Sequence, residues 1–363
     1  MKTLEVKTGL TYEEAGAATS GFTLFSPINQ KKTILVNMRG EVVHEWALPA
    51  PPGNYAYLLP NGNLFAAVRT DEGPKGLAAK GGLMREIDWE GKTVWEYVDH
   101  AQHHDFRRCA NGNTAYIGWE LMSPEAAARV HGGLAGTESK EGIWGDYIRE
   151  VSPDGKTVWE WHAQTDQEIE NYPMCPLCPR AEFAHANTLS PTADGNYLLS
   201  CRQNHLIARI DRATRRFSWE MMDIAFGHQH DVQELANGNL LLFANGDHDG
   251  QHGPHTGSRI LEIDPKTKQT VWEYKTQPRH LFYSPHISGA QRLSSGNTLI
   301  CEGLRGRIFE VTPQGDIVWN FVNPFFIPAD AKGPGAGSNQ VFRAYRYAAD
   351  SPEIRGRLGA SAG

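Results

Sequence analysis

Three histidines open three related stretches of the chain, and their imidazoles are the side chains best placed to do chemistry. His104 begins His104-Asp105-Phe106 ahead of Asn111-Gly112-Asn113. His185 begins His185-Ala186-Asn187 ahead of Asp194-Gly195-Asn196, and His230 begins His230-Asp231-Val232 ahead of Asn237-Gly238-Asn239. Imidazole titrates near neutrality and can act as nucleophile, as general acid or base, or as metal ligand. One histidine heading a strand has a plain structural reading, in which it bonds to backbone. Three at one repeat position weigh against that reading. His286 stands two residues before the matching place in another copy, Ser288 to Asn297, and is a fourth candidate.

Polar residues near these histidines extend the set. Arg202 reads plainly as a surface arginine, and as the sharper alternative it binds an anion beside the three histidines, since an arginine fork makes charge-assisted bonds to an anion's oxygens. Cys175-Pro176-Leu177-Cys178 is a Cys-x-x-Cys, but zinc needs two more ligands and none follows at a typical spacing, so the pair reads as structural or incidental. The run Asp247-His248-Asp249-Gly250-Gln251-His252-Gly253-Pro254-His255 reads as a solvated, histidine-rich lid, with metal binding as the alternative.

The elements that must position these side chains are repeats. The Asn-Gly-Asn phrase recurs at 61–63, 111–113 and 237–239, with variants at 194–196 and 295–297. A tryptophan in a Val-Trp-Glu-Tyr-like run recurs as Trp46, Trp95, Trp159, Trp219, Trp272 and Trp319. Six copies about 45 to 65 residues apart are the signature of propeller blades. Asn-Gly and Asp-Gly turns between apolar runs are hairpin chemistry, because such turns need residues that tolerate positive φ. The expected fold is therefore all-β: a six-bladed β-propeller with four-stranded blades forming a single domain over 1–363. The blades run about 54–99, 104–163, 185–222, 230–276 and 288–324, and the sixth is split between 21–48 and 339–348. Its missing inner strand is supplied by Gln340 to Tyr347, so the C-terminal strand joins the N-terminal blade and closes the ring. The one helical run is Pro124 to Val130.

Loop lengths place function on one face. The A–B and C–D turns are tight, whereas the insertions near 119–146, 163–184, 244–257, 276–287 and 324–338 all connect B to C or D to A. Trp119, Tyr172, Phe183, Phe282 and Tyr283 fall in or beside these insertions and suggest a small aromatic substrate, though some will only pin loops to the propeller.

Composition bounds the rest. A chain of 363 residues with 40% hydrophobic content is too long for one ordinary core unless repeats build it. A net charge of −7 argues against nucleic-acid and acidic membrane partners. The N-terminus has no apolar run of signal length and no later run has membrane-span length, so a cytoplasmic protein is expected. Five scattered cysteines do not suggest a disulfide framework. Oligomeric state is not readable.

On these motifs the chain resembles the bacterial arylsulfate sulfotransferases, over Gly21 to about Tyr347. His185-x-Asn187 with downstream Arg202, Gln229-His230 with Asn245-Gly246-Asp247, and His104 match that family's pattern. The resemblance implies a six-bladed catalytic propeller that moves a sulfuryl group between phenols with no cofactor. His230 would attack sulfur, Arg202 and Asn187 would hold its oxygens, and His104 or His185 would transfer protons. Departures from the pattern are the lack of an export signal, of an extra N-terminal β domain and of a disulfide, with Cys201 where serine is frequent and Ala244 where an acid is frequent. A second reading uses His104, His185, His230 and His286 as ligands for iron, or as a haem site, in an oxygenase of an aromatic such as an alkenyl phenol. A third is a binding propeller without chemistry.

Overall fold

The computed structural model describes residues 7–246, 256–332 and 335–358, and its regular structure is nearly all antiparallel sheet. Six sheets make a six-bladed β-propeller. Blade 1 is Pro52–Leu58, Leu64–Arg69, Gly82–Ile87 and Thr93–Val98. Blade 2 is Gln102–Arg108, Thr114–Leu121, Trp144–Val151 and Thr157–His162, and blade 3 is Ala186–Pro191, Tyr197–Cys201, Leu206–Ile210 and Phe217–Met222. Blade 4 is His230–Glu234, Leu240–Ala244, Arg259–Asp264 and Gln269–Tyr274, and blade 5 is Gly289–Arg292, Thr298–Glu302, Arg307–Val311 and Ile317–Val322. Blade 6 runs Val341–Tyr347, Phe22–Pro27, Lys32–Val36 and Val42–Ala47. Among the described residues no helix is long and apolar enough to cross a membrane.

Burial follows strand position. Leu240–Ala244 is buried at every residue, as expected for a strand covered on both faces, whereas Thr93–Val98 and Phe217–Met222 alternate between half-buried and exposed. The repeated turn has a physical purpose. Asn61, Asn111 and Asn237 each accept the backbone N–H two residues on, which shapes the turn. Asn63, Asn113, Asn239 and Asn297 each donate to a glutamate on the third strand of their own blade, namely Glu86, Glu150, Glu262 and Glu310, at 2.6–2.8 Å. Blade 3 reverses the charges. Arg209 pairs with Leu198 as Glu262 does with Leu241, and it bridges Asp194 of the turn at 3.0 Å.

The recurring tryptophan links blades. The indole N–H of Trp159 donates to Arg212 O at 2.8 Å, and that of Trp219 to Pro265 O at 2.8 Å. Trp46 reaches Asp88 O at 3.0 Å and Trp319 reaches Met38 O at 2.9 Å. Each acceptor lies in the turn between the third and fourth strands of the next blade. A 50-residue spacing therefore encodes a hydrogen bond to a neighbour. Trp159→Phe keeps the ring and removes the donor, and should cost about 1 kcal/mol in urea unfolding.

Two compact units are distinguished, Met1–Val68 with Arg85–Glu96 and His286–Gly363, and Arg69–Met84 with Tyr97–Pro285. In the first, Phe22 pairs with Tyr347 and Phe25 with Ala344, so the chain ends share a blade as expected. An additional strand, Gly9–Glu13, was not foreseen; it adds to the outer edge of blade 5 by pairing with Ile317–Val322. In the second unit the insertion after Leu121 carries the short helix Pro124–Ala128, capped by Ser123. Its strand Gly132–Leu134 runs parallel to Met174–Pro179. Gly132 permits that approach, since a Cβ there would lie 2.2 Å from Met174 O. Trp119, expected in or beside a loop insertion, belongs to the extended second strand of blade 2.

Candidate functional site

The site is built by the first strands of blades 2, 3 and 4, all in the second unit. Side chains brace these strands to one another. Asp105 Oδ2 accepts the Leu189 N–H at 3.0 Å, Asn187 donates to Gln229 O at 2.7 Å, and Thr188 Oγ1 accepts the Asp231 N–H at 2.9 Å.

Register corrects the repeat position assigned to the histidines. In blade 2 the fourth ladder residue, Ile117, pairs with His103, not His104, and in blade 4 the fourth, Phe243, pairs with His230. His103 is thus the counterpart of His230, and His104 of Asp231; the latter two share left-handed φ values of 50° and 54°. His185 precedes the equivalent place, where Ser200 pairs with Thr188. Bulges of different size in the two strands shift the count from the Asn-Gly turn by one residue. The shared dipeptides Gln102-His103 and Gln229-His230 are the signal that sequence reading missed.

His104 and His185 nevertheless meet, with ring centroids 4.6 Å apart. Each is held from behind. His103 Nε2 lies 3.2 Å from Asp146 Oδ1, and His103 Nδ1 is 2.7 Å from His104 Nδ1. The contact to Asp146 is an ion-pair distance and not a hydrogen bond, so His103 and His104 share one proton between their Nδ1 atoms with either ring as donor. His185 Nδ1 donates to Glu182 Oε1 at 2.6 Å, and the Trp119 indole donates to Glu182 Oε2 at 3.0 Å. Burial pushes the Glu182 carboxyl up, but the His185 charge and hydrogen bond, with His103 and Trp119, hold it below the usual value. Trp119 closes the loop by stacking on His103 at 4.0 Å.

His230 is held differently. Its Nδ1 is 2.8 Å from Asn245 Oδ1, and Asn245 is oriented by donating to Ser284 O at 2.8 Å. The amide oxygen makes Nδ1 the protonated nitrogen and places the lone pair on Nε2.

The other candidates divide. Asn187 spends an N–H on Gln229 O and acts as a brace between strands. Arg202 donates its backbone N–H to His185 O, while its guanidinium lies beside the Cys178 sulfur. Burial pushes that thiol up to about 12, with Arg202 pulling the other way. Phe183 and Phe282 are fully buried, and Phe282 packs edge-on to Phe243. Trp119 is likewise buried and supports His103 and Glu182. Tyr172 donates to Glu220 at 2.6 Å, and Tyr283 is half-buried. His286 belongs to the first unit, and residues 247–255 lie outside the described residues. In the first unit a pocket of about 910 Å³ is lined by Glu302, Arg305, Arg307 and Phe326 among others, with no histidine among its described lining residues.

A metal could not be assigned to the expected histidines. Among the described residues, the group with ligand atoms close enough to share an ion is Cys175, His205 and His228, not His104, His185, His230 and His286.

Comparison with solved structures agrees on the fold. A protein of unknown function from Bacteroides caccae matches at 12% identity over 90% of this chain and 99% of that one, with a TM-score of 0.56. A virginiamycin B lyase from Staphylococcus aureus matches at 11% identity over 87% and 89%, with a TM-score of 0.48. No curated protein matches the chain. The arylsulfotransferase (ASST) family model matches residues 81–324, about two thirds of the chain and the segment that holds His104, His185 and His230, and the protein belongs to that family.

Proposed function

We propose that the protein transfers a sulfuryl group from an aryl sulfate to a phenolic acceptor, with His230 as nucleophile. The observation that carries this reading is the Asn245 hydrogen bond, which places the His230 lone pair on Nε2. His230 Nε2 attacks sulfur as the S–O bond to the donor breaks, giving a sulfohistidine and a phenolate. A general acid protonates that phenolate. The acceptor phenol then loses its proton to the same group and attacks sulfur, which restores the imidazole. Covalent transfer divides one difficult displacement into two easier ones.

His185 is the stronger candidate for the proton transfers, because the ionised Glu182 behind it stabilises the imidazolium. His104, hydrogen-bonded to His103, lies against it and can share the proton or bind a sulfate oxygen. The guanidinium beside Cys178 makes Arg202 a less direct sulfate ligand than its sequence position implied. Incubation with a nitrophenyl sulfate and a phenol should release nitrophenol in proportion to acceptor sulfated. Absence of release from folded protein across several aryl sulfates and acceptors would refute the proposal.

A further inference from the structure

We propose that Cys175, Cys178, His205 and His228 form a tetrahedral structural zinc site, separate from the imidazoles assigned to sulfuryl transfer and independent of that assignment. The four residues come from three segments. Cys175 and Cys178 lie on Met174–Pro179, His205 follows the second strand of blade 3, and His228 precedes the first strand of blade 4. All four are buried, with His228 fully so. One ligand atom from each of Cys175, His205 and His228 lies within 4.8 Å of the others, and Cys178 Sγ is 3.5 Å from His228 Nε2.

These separations suit zinc. Bonds of about 2.3 Å to sulfur and about 2.0 Å to nitrogen, arranged tetrahedrally, put ligand atoms roughly 3.3–3.8 Å apart. Cys175, His205 and His228 therefore need to contract by only about 1 Å at their widest, and Cys178 lies outside that group and joins it through His228. Two thiolates and two imidazoles are a donor set typical of zinc, and four protein ligands leave no open position, so the site is structural. Two thiolates neutralise the divalent ion. The rings of His205 and His228 stack at 4.7 Å, and ligation takes each imidazole in its neutral form.

The backbone is prepared for the same purpose. Cys175 N–H donates to Gln203 O at 2.7 Å, which ties the Cys-x-x-Cys segment to the loop of His205. His205 and His228 both hold left-handed φ, at 52° and 66°, a conformation unusual for histidine that turns each ring into the cluster. His228 is two residues from His230, and Arg202, beside Cys178, donates its backbone N–H to His185 O. The ion would therefore fasten the loops that carry two of the proposed catalytic imidazoles. Sequence spacing hid the site because its histidines are separated by a whole blade 3 hairpin.

The test is the metal content of untagged protein purified without added metal. About one zinc per chain is expected, together with retention of that zinc in His104→Ala and its loss in Cys175→Ser/Cys178→Ser. Should the double variant fail to fold, wild-type protein stripped by a chelator and reloaded with cobalt should show the strong visible absorption of thiolate-ligated tetrahedral cobalt, and His228→Ala should not. Substoichiometric zinc, with both cysteines recovered as free thiols or as a disulfide and no cobalt spectrum, would overturn the assignment.

Discussion

His230→Ala is expected to lower acceptor-dependent phenol release by between about 10³ and 10⁶, because a methyl group can neither attack sulfur nor carry the sulfuryl group. His230 is buried, so His230→Asn, which keeps a polar side chain of similar length, should be tested beside it and should be equally inactive if nucleophilicity is what is lost. Asn245→Ala removes the group that fixes the tautomer together with its bond to Ser284 O, and should cost less, about 10²-fold. Glu182→Gln separates the roles further. It leaves a hydrogen-bond partner for His185 but no charge to stabilise an imidazolium, and general acid catalysis contributes about 10²–10⁴. Nitrophenolate leaves readily without a proton, so this loss should be small with nitrophenyl sulfate and large with unsubstituted phenyl sulfate. Equal losses on both donors would mean that Glu182 only holds the loop. Activity of His230→Ala within tenfold of wild type would move the nucleophile to another residue.

The propeller was legible because its repeat elements make repeated bonds. Asn-Gly-Asn recurs since each copy shapes a turn and clamps a glutamate, and tryptophan recurs since its N–H reaches the next blade. The ring closure by Val341–Tyr347 was legible for a related reason, namely that blade 6 lacked an inner strand and one unassigned β-run remained. The site was legible only in part. His104, His185 and His230 were found, but not the groups around them: His103 is the neighbour of His104 on one strand, Asp146 lies on the third strand of blade 2, Glu182 stands three residues before His185, and only Asn245 had a sequence neighbourhood that drew notice. Bulges are invisible in a count of residues, so His103 was passed over for its neighbour. The aromatic residues are buried, and a loop tethered to a propeller needs buried rings as much as a substrate pocket does, so ring content alone does not tell the two apart.

Glu310→Gln is expected to destabilise the protein by about 3–5 kcal/mol, by leaving Arg346 as an uncompensated buried charge. Arg346 is 4% exposed as a residue and its side chain 1%, while Glu310 is fully buried, and their 3.2 Å contact joins blade 6 to blade 5 within the first unit. Screening by solvent therefore does not reduce the effect. Burial pushes the Arg346 guanidinium down to about 10, and the Glu310 charge opposes that push, so removing the charge exposes the full cost of burying the cation. Replacing both partners, as Arg346→Met with Glu310→Leu, should restore about half of the loss and no more. The reason is the remaining network. Glu310 also accepts from the Thr19 N–H at 2.8 Å and from Asn297 at 2.7 Å, and Arg346 donates to Thr23 at 2.8 Å, so an apolar pair leaves these groups unsatisfied. Urea unfolding of the two variants and the wild type measures the difference. A double variant as weak as Glu310→Gln would show that the neutral hydrogen bonds, and not the ion pair, hold the joint between the first and last segments of the chain.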